Sequence, residues 1–289
     1  MLTVIGIYLF IVIGFFSKKI FKEIEGKTLV ILSTYFLQPF LTLWGIMLVP
    51  INFDLILSPL IYLLAVFAAF FIAFFVFNFK DKKLKTIAVI TPLIGNTGNL
   101  GIPLSYALFG DVGASIATMI NLANIFFIYS FGIFFFAKGK YDFKEAFKKI
   151  VKIPVLWFGI FALFLNVIGF NFSREIMKIL QMGAYASIVV QLLIFGIYLA
   201  EAKIKEVEKS LGAVVMFNKF ILLPAVTFVL LKFFKLPPVY SKTVLLEVMT
   251  PLAVTNVNLS ALFDLYPEKV AFLVVVSSVL FIGVAFLFI

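Results

Sequence analysis

The chain has 289 residues, 64% of them hydrophobic and 13% charged, with a mean hydropathy of +1.19, a balance that no soluble domain of this size would keep in solution. It contains neither cysteine nor histidine, which excludes disulfides, thiolate nucleophiles, imidazole bases and the usual zinc sites. The formal net charge of +10 sits between the hydrophobic runs, where it reads as a topology signal and an attraction to anionic lipid rather than to nucleic acid.

The apolar runs predict an all-α membrane protein with ten transmembrane helices. The first half holds 2–16, 28–49, 55–79, 84–109 and 114–137; the second holds 151–170, 176–200, 211–234, 243–263 and 270–288. The first run is short, but it is expected to be a span rather than a signal peptide, because its lysines, Lys18 and Lys19, follow the apolar stretch instead of preceding it. Trp44 and Trp157 are expected as interface anchors. One set of alternate loops carries most of the lysines, among them Lys22, Lys27, Lys80, Lys82, Lys83, Lys138, Lys144, Lys149, Lys203 and Lys269. That set is expected in the cytoplasm, which puts both termini on the non-cytoplasmic side of the cell membrane.

The fourth run cannot stay one helix. Pro92 and Pro103 lack the amide proton of a helix interior, and Gly95, Gly98 and Gly101 each cost about 1 kcal/mol relative to alanine. Asn96, Thr97 and Asn99 place polar groups at membrane depth, where unwound backbone survives only if protein or a water-filled cavity lines it. The pattern recurs in the ninth run: Thr91-Pro92-Leu93 followed by Asn99-Leu100 matches Thr250-Pro251-Leu252 followed by Asn258-Leu259 in the same register. Five spans separate the copies, and an odd number inserts them with opposite orientation. The expected architecture is a 5+5 inverted repeat with broken crossing helices four and nine: residues 1–138, a cytoplasmic linker 139–150, and residues 151–289.

The stretches GNTGNLGIPL (Gly95–Leu104) and TPLAVTNVNLSALFDLY (Thr250–Tyr266) resemble the two signature stretches of the auxin efflux carrier family, which includes the plant PIN-FORMED auxin exporters and prokaryotic malate- and malonate-type carriers. A more distant resemblance links it to the bile acid sodium symporters. The resemblance covers essentially the whole chain and implies a scaffold of spans 1, 2, 6 and 7 that forms a homodimer, with a mobile transport domain of spans 3–5 and 8–10. Asn99 departs from the apolar or aromatic residue expected at its position.

Each broken helix presents one positive and one negative helix end near the midplane. No acid lies within 95–103 or 251–258, so free amides and the side chains of Asn96, Thr97, Asn99, Thr255, Asn256 and Asn258, with the backbone at Gly98, are candidate donors to a small organic anion. The alternative role for each is to satisfy the freed backbone. Pro103 is expected to start a second half-helix, since proline is tolerated at the first helical position. Asn121 and Asn124 are candidate pocket residues or interhelical links, as are Gln38 and Gln191. Lys219 either snorkels or pairs with an acid; Glu247 is either a proton or sodium site or a solvated or paired acid near the outer surface. A cation/proton antiporter would place acids at the breaks, and an intramembrane enzyme would need paired carboxylates or a nucleophile. The expectation is therefore an anion carrier working by alternating access, with no enzyme activity, cofactor or metal; a sodium- or proton-coupled carrier of another solute class is the alternative.

Overall fold

The computed structural model describes residues 2–137, 151–201 and 207–288; the expected linker 139–150 and the loop residues Lys203 and Lys205 lie outside them. Among the described residues the ordered backbone is helical, and the one β-type pairing is an isolated bridge. In chain order the helices are α1 Leu2–Ile20, α2 Gly26–Met47, α3 Phe53–Val76, α4 Lys82–Ile90, α5 Thr97–Phe136, α6 Pro154–Val167, α7 Arg174–Glu201, α8 Lys209–Phe234, α9 Pro238–Met249, α10 Thr255–Leu262 and α11 Pro267–Phe288. Six of them, α2, α3, α5, α7, α8 and α11, are long and apolar enough to cross a membrane.

Their outward faces are as apolar as their cores. Phe75, Phe233 and Leu287 are 75%, 78% and 77% exposed, burial that only a hydrocarbon solvent would complete. Polar residues instead mark the helix ends. Asn52 caps α3 by accepting from the Leu55 amide (2.8 Å), and Asp81 caps α4 through the Lys83 amide (2.7 Å). The basic end is tied across the chain by Lys83–Asp264 (2.6 Å), Lys18–Glu201 (2.9 Å) and Lys269–Glu208.

Proline is accommodated inside the helices in a repeated way. Wider π-type turns occupy Ser33–Leu37, Thr97–Gly101 and Asn218–Leu222, and each ends two residues before a proline, Pro39, Pro103 and Pro224. The ring collides with the carbonyl one turn back and offers no amide, so an added residue in that turn relieves both problems. Pro103 stands, as expected, in the first turn of the α-type helix that starts at Ile102, and the wider turn from Thr97 leads into it.

Helix α5 also doubles back. Gly110 adopts φ 64°, ψ −151°, and Thr97 hydrogen-bonds Asn121 (2.9 Å), although a straight helix would hold them about 36 Å apart. Two cores result. One joins α2, α3 and α5 around Trp44, Tyr62, Ile116 and Ile120. The other joins α1, α7, α9 and α11 around Ile11, Phe195, Leu246 and Phe281. Helices α1 and α7 meet backbone to backbone: a methyl group on Gly14 would lie 2.2 Å from the Leu193 carbonyl oxygen, and one on Gly196 would lie 2.0 Å from that of Ile11.

Candidate functional site

The two interruptions face each other. Helix α4 ends in a short 3₁₀ turn at Thr91–Leu93, and the chain then leaves helical geometry at Ile94 to Asn96 before α5 begins. Helix α9 ends at Met249, Thr250 is extended, and α10 begins at Thr255. Between them Gly95 pairs with Leu252 in an antiparallel bridge; the Asn96 amide donates to the Pro251 carbonyl (2.8 Å) and the Ala253 amide to that of Ile94 (3.0 Å). Backbone groups freed by one break are thus satisfied by the other, which is how unwound chain persists in an apolar interior. Leu93 and Ile94 belong to the first core and Leu100 and Leu252 to the second, so the paired breaks lie where the cores meet.

A cavity of about 150 Å³ opens against this pairing. Asn96, Thr97, Gly98, Asn99, Thr255 and Asn258 line it, together with Gly95, Gln38, Asn121 and Asn124. Among the described residues none that lines it is charged. Ser33, Thr34, Tyr129 and Tyr198 also line it, and sequence reasoning missed them: single hydroxyls scattered along apolar helices carry no pattern.

The polar side chains divide into those already used and those left open. Thr97 donates through its hydroxyl to Asn121 Oδ1 and accepts from Asn124 Nδ2 (2.9 Å each). Asn124 also donates to the Gly95 carbonyl (3.0 Å), and its Oδ1 accepts from the Tyr62 hydroxyl (3.1 Å). This network fixes the loop. Asn256 is fully buried and does not line the cavity; its amide group donates to the carbonyls of Ile94 (3.0 Å), Ala253 (3.1 Å) and Thr91 (3.4 Å). Asn96 differs from both. It is 3% exposed, and its Nδ2 is a buried donor with no acceptor among the described residues.

The remaining candidates lie elsewhere. Gln191 donates to Ser187 (2.7 Å) within α7. Lys219 and Glu247 are 1% and 0% exposed, so Lys219 does not snorkel and Glu247 is not at the surface. Both reach the breaks from behind: a methyl group on Gly95 would lie 2.9 Å from Lys219 Nζ, and one on Gly101 would lie 2.1 Å from Glu247 Oε2. Pro92 and Pro251 are buried in the breaks, and Pro103 lies in the first turns of α5. Trp44 is also corrected. It is not at an interface but 2% exposed, edge-on to Tyr106 and Tyr185, whose hydroxyls meet at 2.8 Å; Trp157 is 54% exposed and donates to the Val151 carbonyl.

Comparison with known proteins matches the chain over its whole length. A family model described as membrane transport protein matches residues 1–289. The chain is 27% identical over 284 residues to an uncharacterized transporter of Methanocaldococcus jannaschii, an alignment that covers 93% of this chain and 91% of the relative. With the match running the full length and the helices apolar outward, this multi-pass membrane protein belongs to the membrane transport protein family, the family of the auxin efflux carriers, and is a transporter.

Proposed function

We propose that the protein carries small organic anions across the cell membrane by alternating access at the paired breaks. The observation that carries the reading is Asn96: a buried amide donor without an acceptor among the described residues, in a cavity to which those residues contribute no charged side chain. A buried donor left open costs about 1–3 kcal/mol, and a carboxylate oxygen would satisfy it. Helices α5 and α10 both begin at this cavity, so two positive helix ends favour a negative charge there. Uncharged donors suit a weak acid that must leave as readily as it enters, whereas fixed acids, as in a cation/proton antiporter, are absent from the described lining.

In this reading the chain makes ten spans in two five-helix units of opposite sense, and the paired breaks are their crossing point. Helices α1, α2, α6 and α7 form a dimeric scaffold, supported by the packing of α1 on α7, α7 on α2 and α2 on α6. The rest move as a transport domain, supported by the packing of α5 on α3 and α9 and of α8 on α3. The cavity extends to Ile153 and Tyr198 near the basic end. With that end cytoplasmic, and both termini outside, the conformation is open inward, and the cluster of Trp44, Tyr106 and Tyr185 closes the other side. Purified protein in liposomes, screened for uptake of labelled mono- and dicarboxylates with and without sodium and pH gradients, tests the reading. Uptake of an organic anion that the Asn96→Asp variant abolishes is expected; a substrate that is a cation, or uptake indifferent to Asn96→Asp, overturns it.

A further inference from the structure

Lys219 and Glu247 take no part in the cavity, yet they are buried against the residues that form it. Lys219 sits in the π-type turn of α8 before Pro224, next to Asn218, whose Nδ2 donates to the Ala88 carbonyl in the last turn of α4 (2.9 Å). Its Nζ lies beside Gly95 on the same side as Thr250 Oγ1, which a methyl group on Gly95 would approach to 2.8 Å. Thr250 ends α9 and donates to the Glu247 carbonyl (2.7 Å). The ammonium therefore lies where two helices, α4 and α9, end, and helix C-termini carry a partial negative charge that attracts cations.

Glu247 faces the opposite kind of end. Its Oε1 accepts from Ser105 (2.9 Å), and its Oε2 lies against Gly101, so the carboxylate touches the first turns of α5, where an acid is favoured. Its Oε2 is buried with no hydrogen-bond partner among the described residues. The two charged side chains are thus held against the same interruption, Lys219 at Gly95 and Glu247 at Gly101. A lone buried charge is costly, and losing one member of such a pair is worse than losing both.

We propose that Lys219 is a tethered cation that, with Glu247, positions the two breaks: it occupies the place at the converging helix ends where a dissolved cation would otherwise be needed. Gly95 and Gly101 are the contact points. A side chain at either position would displace one of the two charges, so the pair sets where Gly95 and Asn96 present themselves to the cavity. Both are positioning residues, since neither lines the cavity. The effect on transport rests on the carrier reading above; the effect on the folded protein does not.

The test uses purified full-length protein in detergent, as wild type, Lys219→Ala, Glu247→Gln and Lys219→Met/Glu247→Gln, melted in sodium, potassium or ammonium chloride with choline chloride as the ionic-strength control. Lys219→Ala leaves Glu247 and a vacated space facing the helix ends. It is expected to gain a saturable rise in melting temperature of a few degrees with a small cation, a rise absent in choline, in wild type and in the double variant. The double variant is expected to melt above either single variant. In liposomes, Lys219→Ala is expected to raise KM for the transported anion at least tenfold, with the loss reversed by the same cation. Folded Lys219→Ala that responds to no cation overturns the proposal. If Lys219→Ala does not fold, the double variant decides: folding where the single fails supports the pair, and equal failure overturns it. A cation response without any organic-anion uptake leaves this pair standing and removes the carrier reading instead.

Discussion

Replacing Asn96 by alanine should separate binding from folding. In the structure Asn96 Nδ2 meets no acceptor among the described residues, so the substitution removes an open donor and should leave the melting temperature within about 2 °C of wild type, the size of a change under 1 kcal/mol. A bound carboxylate would lose one hydrogen bond to a charged group, about 1.5–3 kcal/mol, which is roughly tenfold to more than a hundredfold in affinity. Asn124→Ala reverses the expectation. It strips partners from the Gly95 carbonyl, Thr97 and the Tyr62 hydroxyl together, and at about 1–3 kcal/mol for a buried polar group left unpaired it should cost several kcal/mol of stability. The assay is equilibrium binding of the carboxylate found in the uptake screen, beside a melting curve for each variant. Asn96→Ala with wild-type affinity on folded protein would refute the reasoning, as would Asn96→Ala that unfolds while Asn124→Ala does not.

Other expectations are simpler. Asn256→Ala should lower stability by about 1–2 kcal/mol, because the carbonyls of Thr91, Ile94 and Ala253 lose their shared side-chain donor but each keeps a backbone amide; a melt within a degree of wild type refutes its role as the tie between the breaks. Gly196→Leu should separate α1 from α7, since even a methyl group meets the Ile11 carbonyl at 2.0 Å, and the check is loss of a monodisperse peak in size-exclusion chromatography. With no native cysteine, a thiol probe should label Lys82→Cys only from the cytoplasm and Asn171→Cys only from outside; the reverse pattern inverts the topology. Tyr106→Cys and Tyr185→Cys joined by a short bifunctional thiol reagent should abolish flux while leaving binding measurable from one side, and flux at the normal rate would refute the domain movement.

The break itself was legible, because two prolines and three glycines around Asn and Thr have no place in a continuous membrane helix. Its position was not. The interruption falls at residues 94–96, and Gly98 and Gly101 lie inside the resumed turn, where they admit the Asn121 and Glu247 side chains. Glycine in sequence does not say whether it serves an unwound backbone or a close neighbour. The asparagines shared the same ambiguity: the amide nitrogen of Asn96 is left open and that of Asn256 is spent on carbonyls, and only the partner groups distinguish them. The depth of Lys219 and Glu247 was hidden too, since hydropathy places a residue along a helix but not on the face that meets another interruption.

Trp44 gives the molecule a built-in optical probe. The chain has two tryptophans; Trp157 stands outside, while Trp44 is sealed between a tyrosine of α5 and a tyrosine of α7. Those two helices belong to the two bodies proposed to move past each other, so any excursion that separates them changes the indole's surroundings and its energy transfer from both phenols. Trp157→Phe would leave a single emitter at that seam. Its spectrum could then follow the opening of the outer side in unlabelled protein.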